Sequence, residues 1–230
     1  MNNINLDKIK NDILREDLSP WHNALKLTML SRKVLENIQF CLEDCETNNV
    51  EGDFIECGVW RGGACIFARE VIKNLNSKRK IYVADSFEGL PKPNSQKYPA
   101  DAGDPHYQIS QLRVSLEEVK NNFNKFRDLD DNVIFLKGWF KDTLPNCQIQ
   151  KISVLRLDGD MYESTIDTLN NLYNKLSIGG YCIIDDYGHN GAKTAVIDYR
   201  KKHNIEDPII IIDPRPNAYP SAYWKKSKDI

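Results

Sequence analysis

Four aspartates sit at the ends of two apolar runs. "VLRLDGDMYEST" carries Asp158 and Asp160, and "CIIDDYG" carries the adjacent Asp185 and Asp186. Runs of this kind read as buried strands, so the carboxylates fall near one edge of a sheet. Gathering like charges costs repulsion, which a cation, a shared proton or a basic neighbour relieves. All-oxygen ligands select a hard ion, Mg2+ or Ca2+ or Mn2+, over zinc. Asp158, Asp185 and Asp186 are the metal candidates. Asp160 reads as the cap of a helix opening at Tyr162, with Glu163 in the first turn complementing the helix dipole.

A second group lies in "DFIECGVWRGGACIFA", residues 53–68, which reads as strand, tight turn and helix. Gly58, Gly62 and Gly63 give G-x-x-x-G-G, which is not the dinucleotide G-x-G-x-x-G and lacks the lysine and hydroxyl of a phosphate loop. Glu56 would repel a pyrophosphate; it suits a ligand with a cationic group, such as S-adenosylmethionine with its ammonium and sulfonium. Asp85 ends "KIYVADSF", where a carboxylate can accept from both hydroxyls of a ribose. Gly138, Trp139 and Phe140 end "NVIFLKGWF", small then aromatic, a pattern that admits and stacks an adenine. Each residue also has a structural reading, as turn glycine, capping aspartate or core tryptophan. Their order along one sheet favours the ligand. Trp60, Gly62, Ser86 and Asp158 complete the candidate cofactor set.

These residues need a scaffold. The chain has 230 residues, enough for one large domain with one active site. Apolar runs alternate with helical patterns: helices over 63–76, 115–126, 162–176 and 191–203, the 162–176 helix ending at Gly179 and Gly180. Between them lie the runs already quoted, then "PIIIID", and "SAYWKK" as an edge strand. The alternation implies a doubly wound α/β sheet with ligands beyond the strands' carboxyl ends. Leu25, Leu27, Met29, Leu30, Val34, Leu35, Ile38 and Leu42 recur at helical spacing, so residues 1–50 read as a helical extension to a domain over 51–230. Residues 89–112 hold four of the ten prolines and no period, the mark of a lid or binding loop.

A formal net charge of -2 gives no nucleic-acid or membrane-surface footprint. No apolar run approaches the roughly 20 residues of a spanning helix. The six cysteines lack zinc-type spacing, and the close pair Cys41 and Cys45 reads as structural. With no signal peptide apparent, a cytoplasmic location is expected.

The motifs "TMLSR" (28–32), "GDFIECGVWRGG" (52–63), "ADSFEGLP" (84–91), "LDGDMYEST" (158–165) and "IIDDYG" (183–188) resemble the macrocin O-methyltransferase family, metal-dependent sugar O-methyltransferases. The resemblance implies a class I methyltransferase fold, seven strands with the last antiparallel, using S-adenosylmethionine and Mg2+. It implies that Asp158, Asp185 and Asp186 hold the metal, that Glu56 and Gly58 meet the methionine side, and that Asp85 meets the ribose. More loosely, it places Gly138 and Trp139 at the adenine. It also implies an acceptor gripped by two adjacent hydroxyls and a homo-oligomer. Asp158 or a nearby histidine, His106 or His189, would take the proton. A nicotinamide-dependent sugar oxidoreductase and a non-catalytic S-adenosylmethionine-binding protein are the alternatives; the missing dinucleotide motif opposes the first, and the repulsive carboxylates oppose the second.

Overall fold

The computed structural model describes residues 4–14, 27–213 and 219–230. The strands are β1 (Asp53–Cys57), β2 (Ile81–Asp85), β3 (Val133–Lys137), β4 (Ile152–Leu157), β5 (Leu176–Ile184), β6 (Ile210–Ile212) and β7 (Ser221–Lys225). They form one sheet in the order β3-β2-β1-β4-β5-β7-β6. β1 to β5 are parallel, and β7 runs antiparallel to both β5 and β6. This is the seven-stranded arrangement with an antiparallel last strand that the resemblance implies.

Helices cover both faces because every central strand is apolar on both sides. Phe54, Val83, Val154 and Ile183 face one cluster. It is closed by α1 (Leu6–Ile13), α2 (Arg32–Thr47), α3 (Gly63–Asn74) and α4 (Leu116–Lys125). Ile55, Leu155 and Cys182 face the other. The short α5 (Phe140–Thr143), α6 (Tyr162–Leu172) and α7 (Asn190–Lys202) lie on that side. All six cysteines are buried and free, as structural thiols should be. No helix among the described residues is long and apolar enough to cross a membrane.

From β1 the sheet winds one way to β2 and β3, and from β4 the other way to β5, so a crevice opens where the winding reverses. There the Asp158 amide donates to the Cys57 carbonyl at 2.8 Å. Gly58 has φ +93°, and a Cβ on it would lie 1.7 Å from the Asp158 carbonyl oxygen. Only glycine allows the two strand ends to meet so closely.

Three expectations are corrected. The 162–176 helix ends at Leu172, and a 3-10 turn over Tyr173–Lys175 leads into β5, which takes in Gly179 and Gly180 instead of stopping at them. The pair belongs to the strand because the Gly179 amide donates to the Lys226 carbonyl (2.7 Å) and the Lys226 amide to the Gly180 carbonyl (2.8 Å). "SAYWKK" forms β7, which is interior; the edge is β6, with Ile210 and Ile211 exposed. The expected helix from Leu25 falls partly outside the described residues, and residues 27–31 are not helical. Leu27 and Thr28 instead donate their amides to the Ile13 carbonyl, and α2 starts only after Ser31, whose Oγ accepts from the Val34 amide at 3.4 Å.

Candidate active site

A cavity of about 340 Å³ opens over the ends of β1 to β4, within the range usual for small-molecule sites. Gly58, Trp60, Asp85, Ser86, Gly138, Trp139 and Asp158 all line it. Asp85 is held rigidly there: one carboxylate oxygen accepts from the Val59 amide (2.8 Å) and the other from the Phe87 amide (2.7 Å). Burial pushes this carboxyl above its ordinary value, and those amide donors oppose the shift. Trp60, at φ +48°, donates its Nε1–H to the Gln111 carbonyl at 2.9 Å, which ties the turn after β1 to the 89–112 loop. Gly62 and Glu56 are not in the wall. Gly62 opens α3 against Val119 and Phe123. The Glu56 side chain is buried behind the cavity, where Cys65 Sγ donates to its Oε2 at 2.7 Å.

At the next strand ends, Asp158, Asp185 and Asp186 converge, with one oxygen of each within 4.8 Å of the others. Ser221 Oγ, at the start of β7, donates to Asp185 Oδ1 at 3.1 Å. The Asp160 amide donates to Asp186 Oδ2 at 3.0 Å. Burial and the Asp185 charge push Asp158 above the ordinary carboxylate range; burial and the charges of Asp160 and Asp158 do the same to Asp186. With Asp158 and Asp186 both held back from ionising by burial and neighbouring negative charge, the three carboxylates are a donor set short of positive charge. Their oxygens suit Mg2+, Mn2+ or Ca2+.

The one basic group there among the described residues is Arg156, unnoticed in the sequence because it sits inside the apolar run of β4. Its guanidinium is fully buried. Nη1 donates to Glu56 and to Asp158 Oδ2 (2.9 Å), and Nη2 lies 2.7 Å from Asp185 Oδ1. The signal available was a lone cation two residues before a strand-end aspartate.

Asp160 does not cap α6. The cap comes from Asp101, whose two oxygens accept from the Tyr162 amide (2.6 Å) and the Glu163 amide (3.1 Å). Asp160 instead takes φ +57° and lines the cavity. The 89–112 loop therefore has structure: 3-10 turns over Pro99–Asp101, His106–Gln108 and Ser110–Leu112, with Leu90 and Pro91 in the cavity wall. From the same loop, Asp104 accepts from His106 Nδ1 at 2.7 Å and lies 3.4 Å from His189 Nε2, so the two histidines share one buried carboxylate. His189 also meets the Tyr219 ring at 5.3 Å. Neither histidine lines the cavity.

A doubly wound sheet with an antiparallel last strand, a cavity at its reversal point and acidic strand ends beside it defines the methyltransferase class of fold. The family model described as Macrocin-O-methyltransferase (TylF) matches residues 3–226. Demethyldecarbamoylnovobiocin O-methyltransferase of Streptomyces niveus is 48% identical over 204 residues, 87% of this chain and 76% of that one. The 8-demethyl-8-(2,3-dimethoxy-alpha-L-rhamnosyl)-tetracenomycin-C 4'-O-methyltransferase of Streptomyces olivaceus is 47% identical over 188 residues, 81% of this chain and 72% of that one. The solved structure of the O-methyltransferase NovP superposes with a TM-score of 0.89 at 42% identity, covering 97% of this chain and 98% of that one. The chain belongs to the macrocin O-methyltransferase family, and it is an enzyme, an O-methyltransferase.

Proposed function

We propose that the enzyme transfers a methyl group from S-adenosylmethionine to a sugar hydroxyl, on a glycosylated natural product, a glycan or a nucleotide-sugar, with a divalent cation held by Asp158, Asp185 and Asp186. The observation that carries this reading is the convergence of those three carboxylates within 4.8 Å, with Asp158 also in the wall of the cavity that Gly58, Asp85 and Gly138 line. The relative whose name carries a rhamnosyl group supports a sugar acceptor.

In this reading Asp85 accepts from the ribose hydroxyls, and Gly138 with Trp139 borders the adenine. S-adenosylmethionine supplies the methyl group on a sulfonium. A divalent cation supplies Lewis acidity, making a sugar hydroxyl easier to deprotonate. The chain's own residues then orient the acceptor and move the proton. Asp160 is better placed for this than His189, because it lines the cavity and His189 does not. Burial raises the Asp160 carboxyl above its ordinary value, which suits a group that must receive a proton. Asp158 has one oxygen committed to Arg156 and the other to the proposed ion, so it is left as a ligand. His189 and His106 sit behind Asp160, where their charge would oppose that shift. The loop over 89–112 covers the site and excludes water.

Asp185→Ala is expected to abolish methyl transfer while S-adenosylhomocysteine binding, read by calorimetry, stays within a few-fold of the parent. Wild-type turnover by this variant in chelator-treated buffer would show that the carboxylates do not act through a metal.

A further inference from the structure

We infer that Arg156 is a positioning residue that joins the β1 glutamate to the metal carboxylates, so that Glu56 governs cation affinity at a site it does not line. The inference rests on the cation reading proposed above.

Register brings the pair together: Glu56 and Arg156 are direct partners in the parallel ladder of β1 and β4. Both side chains are buried on the α3 side of the sheet, where Cys65 holds the second glutamate oxygen. From that position the planar guanidinium reaches two further strand ends: Nη1 donates to Asp158 Oδ2 (2.9 Å), and Nη2 is ion-paired with Asp185 Oδ1 (2.7 Å) without hydrogen-bond geometry. One oxygen on each aspartate is occupied, and the other is left for an ion. A guanidinium can do this because its donors form a rigid fork; a lysine presents one nitrogen.

The charges make the sharing consequential. Glu56, Asp158, Asp185 and Asp186 face one arginine, a formal charge of -3. Glu56 draws part of the guanidinium away from the aspartates. Neutralising it turns Arg156 wholly onto Asp158 and Asp185, where it competes with a cation, and also removes a negative charge from the neighbourhood. Both effects weaken cation binding. Replacing Glu56 and Arg156 together by neutral side chains of similar size keeps the formal charge at -3 but removes the fork, so it isolates orientation from charge.

The test is Mn2+ affinity, read from the electron paramagnetic resonance of the free ion, on the full chain without acceptor. Glu56→Gln is expected to weaken binding about tenfold, and Glu56→Gln with Arg156→Met about ten- to hundredfold, as for other groups that orient metal ligands. Thermal melts confirm that each protein is folded at the titration temperature. Should the double variant not fold, Arg156→Lys keeps the charge and loses the fork, and the same weakening is expected. Unchanged affinity in Glu56→Gln, in the double variant, or in Arg156→Lys overturns the inference and leaves the cation reading standing. A wild-type protein that binds no Mn2+ overturns both.

Discussion

Asp160 and Asp158 are two residues apart and have different tasks. Asp158 leaves β4 in line with the strand, and its Oδ2 meets Arg156 at 2.9 Å. Asp160, at φ +57°, is swung into the cavity wall, and its amide steadies Asp186 at 3.0 Å. Asp160→Asn is therefore expected to lower kcat by about 10²- to 10⁴-fold, the usual share of a proton acceptor. Mn2+ affinity should change by only a few-fold. An unchanged kcat would remove Asp160 from the chemistry. The Asp158, Asp185 and Asp186 set could be read from the sequence because each lies at the polar end of an apolar run, and such runs place their ends in register. Arg156 and the true posture of Asp160 could not. A cation within a strand is sensible only once Glu56 is seen opposite it, and a left-handed aspartate resembles a helix cap until another residue fills that place.

The filler is Asp101, from a loop that had no period to read. It accepts from the first two amides of α6, and it thereby fastens the 89–112 segment to the helix that follows Asp158 and Asp160. Asp101→Ala leaves those amides without a side-chain partner at a half-buried helix start. A loss of about 1 kcal/mol is expected, as for other lost caps, which in a chain of this size lowers Tm by about 2–4 °C. KM for the acceptor should rise as the loop loosens, and differential scanning with steady-state kinetics checks both. A Tm equal to the parent's would show that water caps α6 as well as Asp101 does. The helices over 63–76, 115–126 and 191–203 came through from their apolar spacing nearly unchanged. The β5 boundary did not, because Gly179 and Gly180 are held by Lys226 from the far end of the chain, and no local pattern reports a partner that distant.

For the molecule as a whole, β7 has the same lesson on a larger scale. Read alone, "SAYWKK" is short and half polar, the profile of an edge strand. In the fold it is inserted between β5 and β6 and places Ser221 against Asp185. Trp224 is fully buried, with its Nε1–H on the Tyr173 hydroxyl at 3.0 Å and the Arg200 guanidinium over its ring at 4.8 Å. Trp224→Ala is expected to cost about 3–5 kcal/mol, seen as a lower midpoint in urea; a midpoint within error of the parent's would mean that β7 is dispensable. The class of sheet follows from alternating strands and helices, while the position of the last strand follows from tertiary burial alone. The central claim is that this sheet brings three aspartates together to hold a hard cation beside a methyl donor. The measurement that tests it most directly is anomalous diffraction from crystals grown with Mn2+ and S-adenosylhomocysteine. The expected result is one manganese peak bonded to Asp158, Asp185 and Asp186, with the nucleoside between Asp85 and Trp139. Manganese among Asp104, His106 and His189 instead, or none near either group, would contradict it.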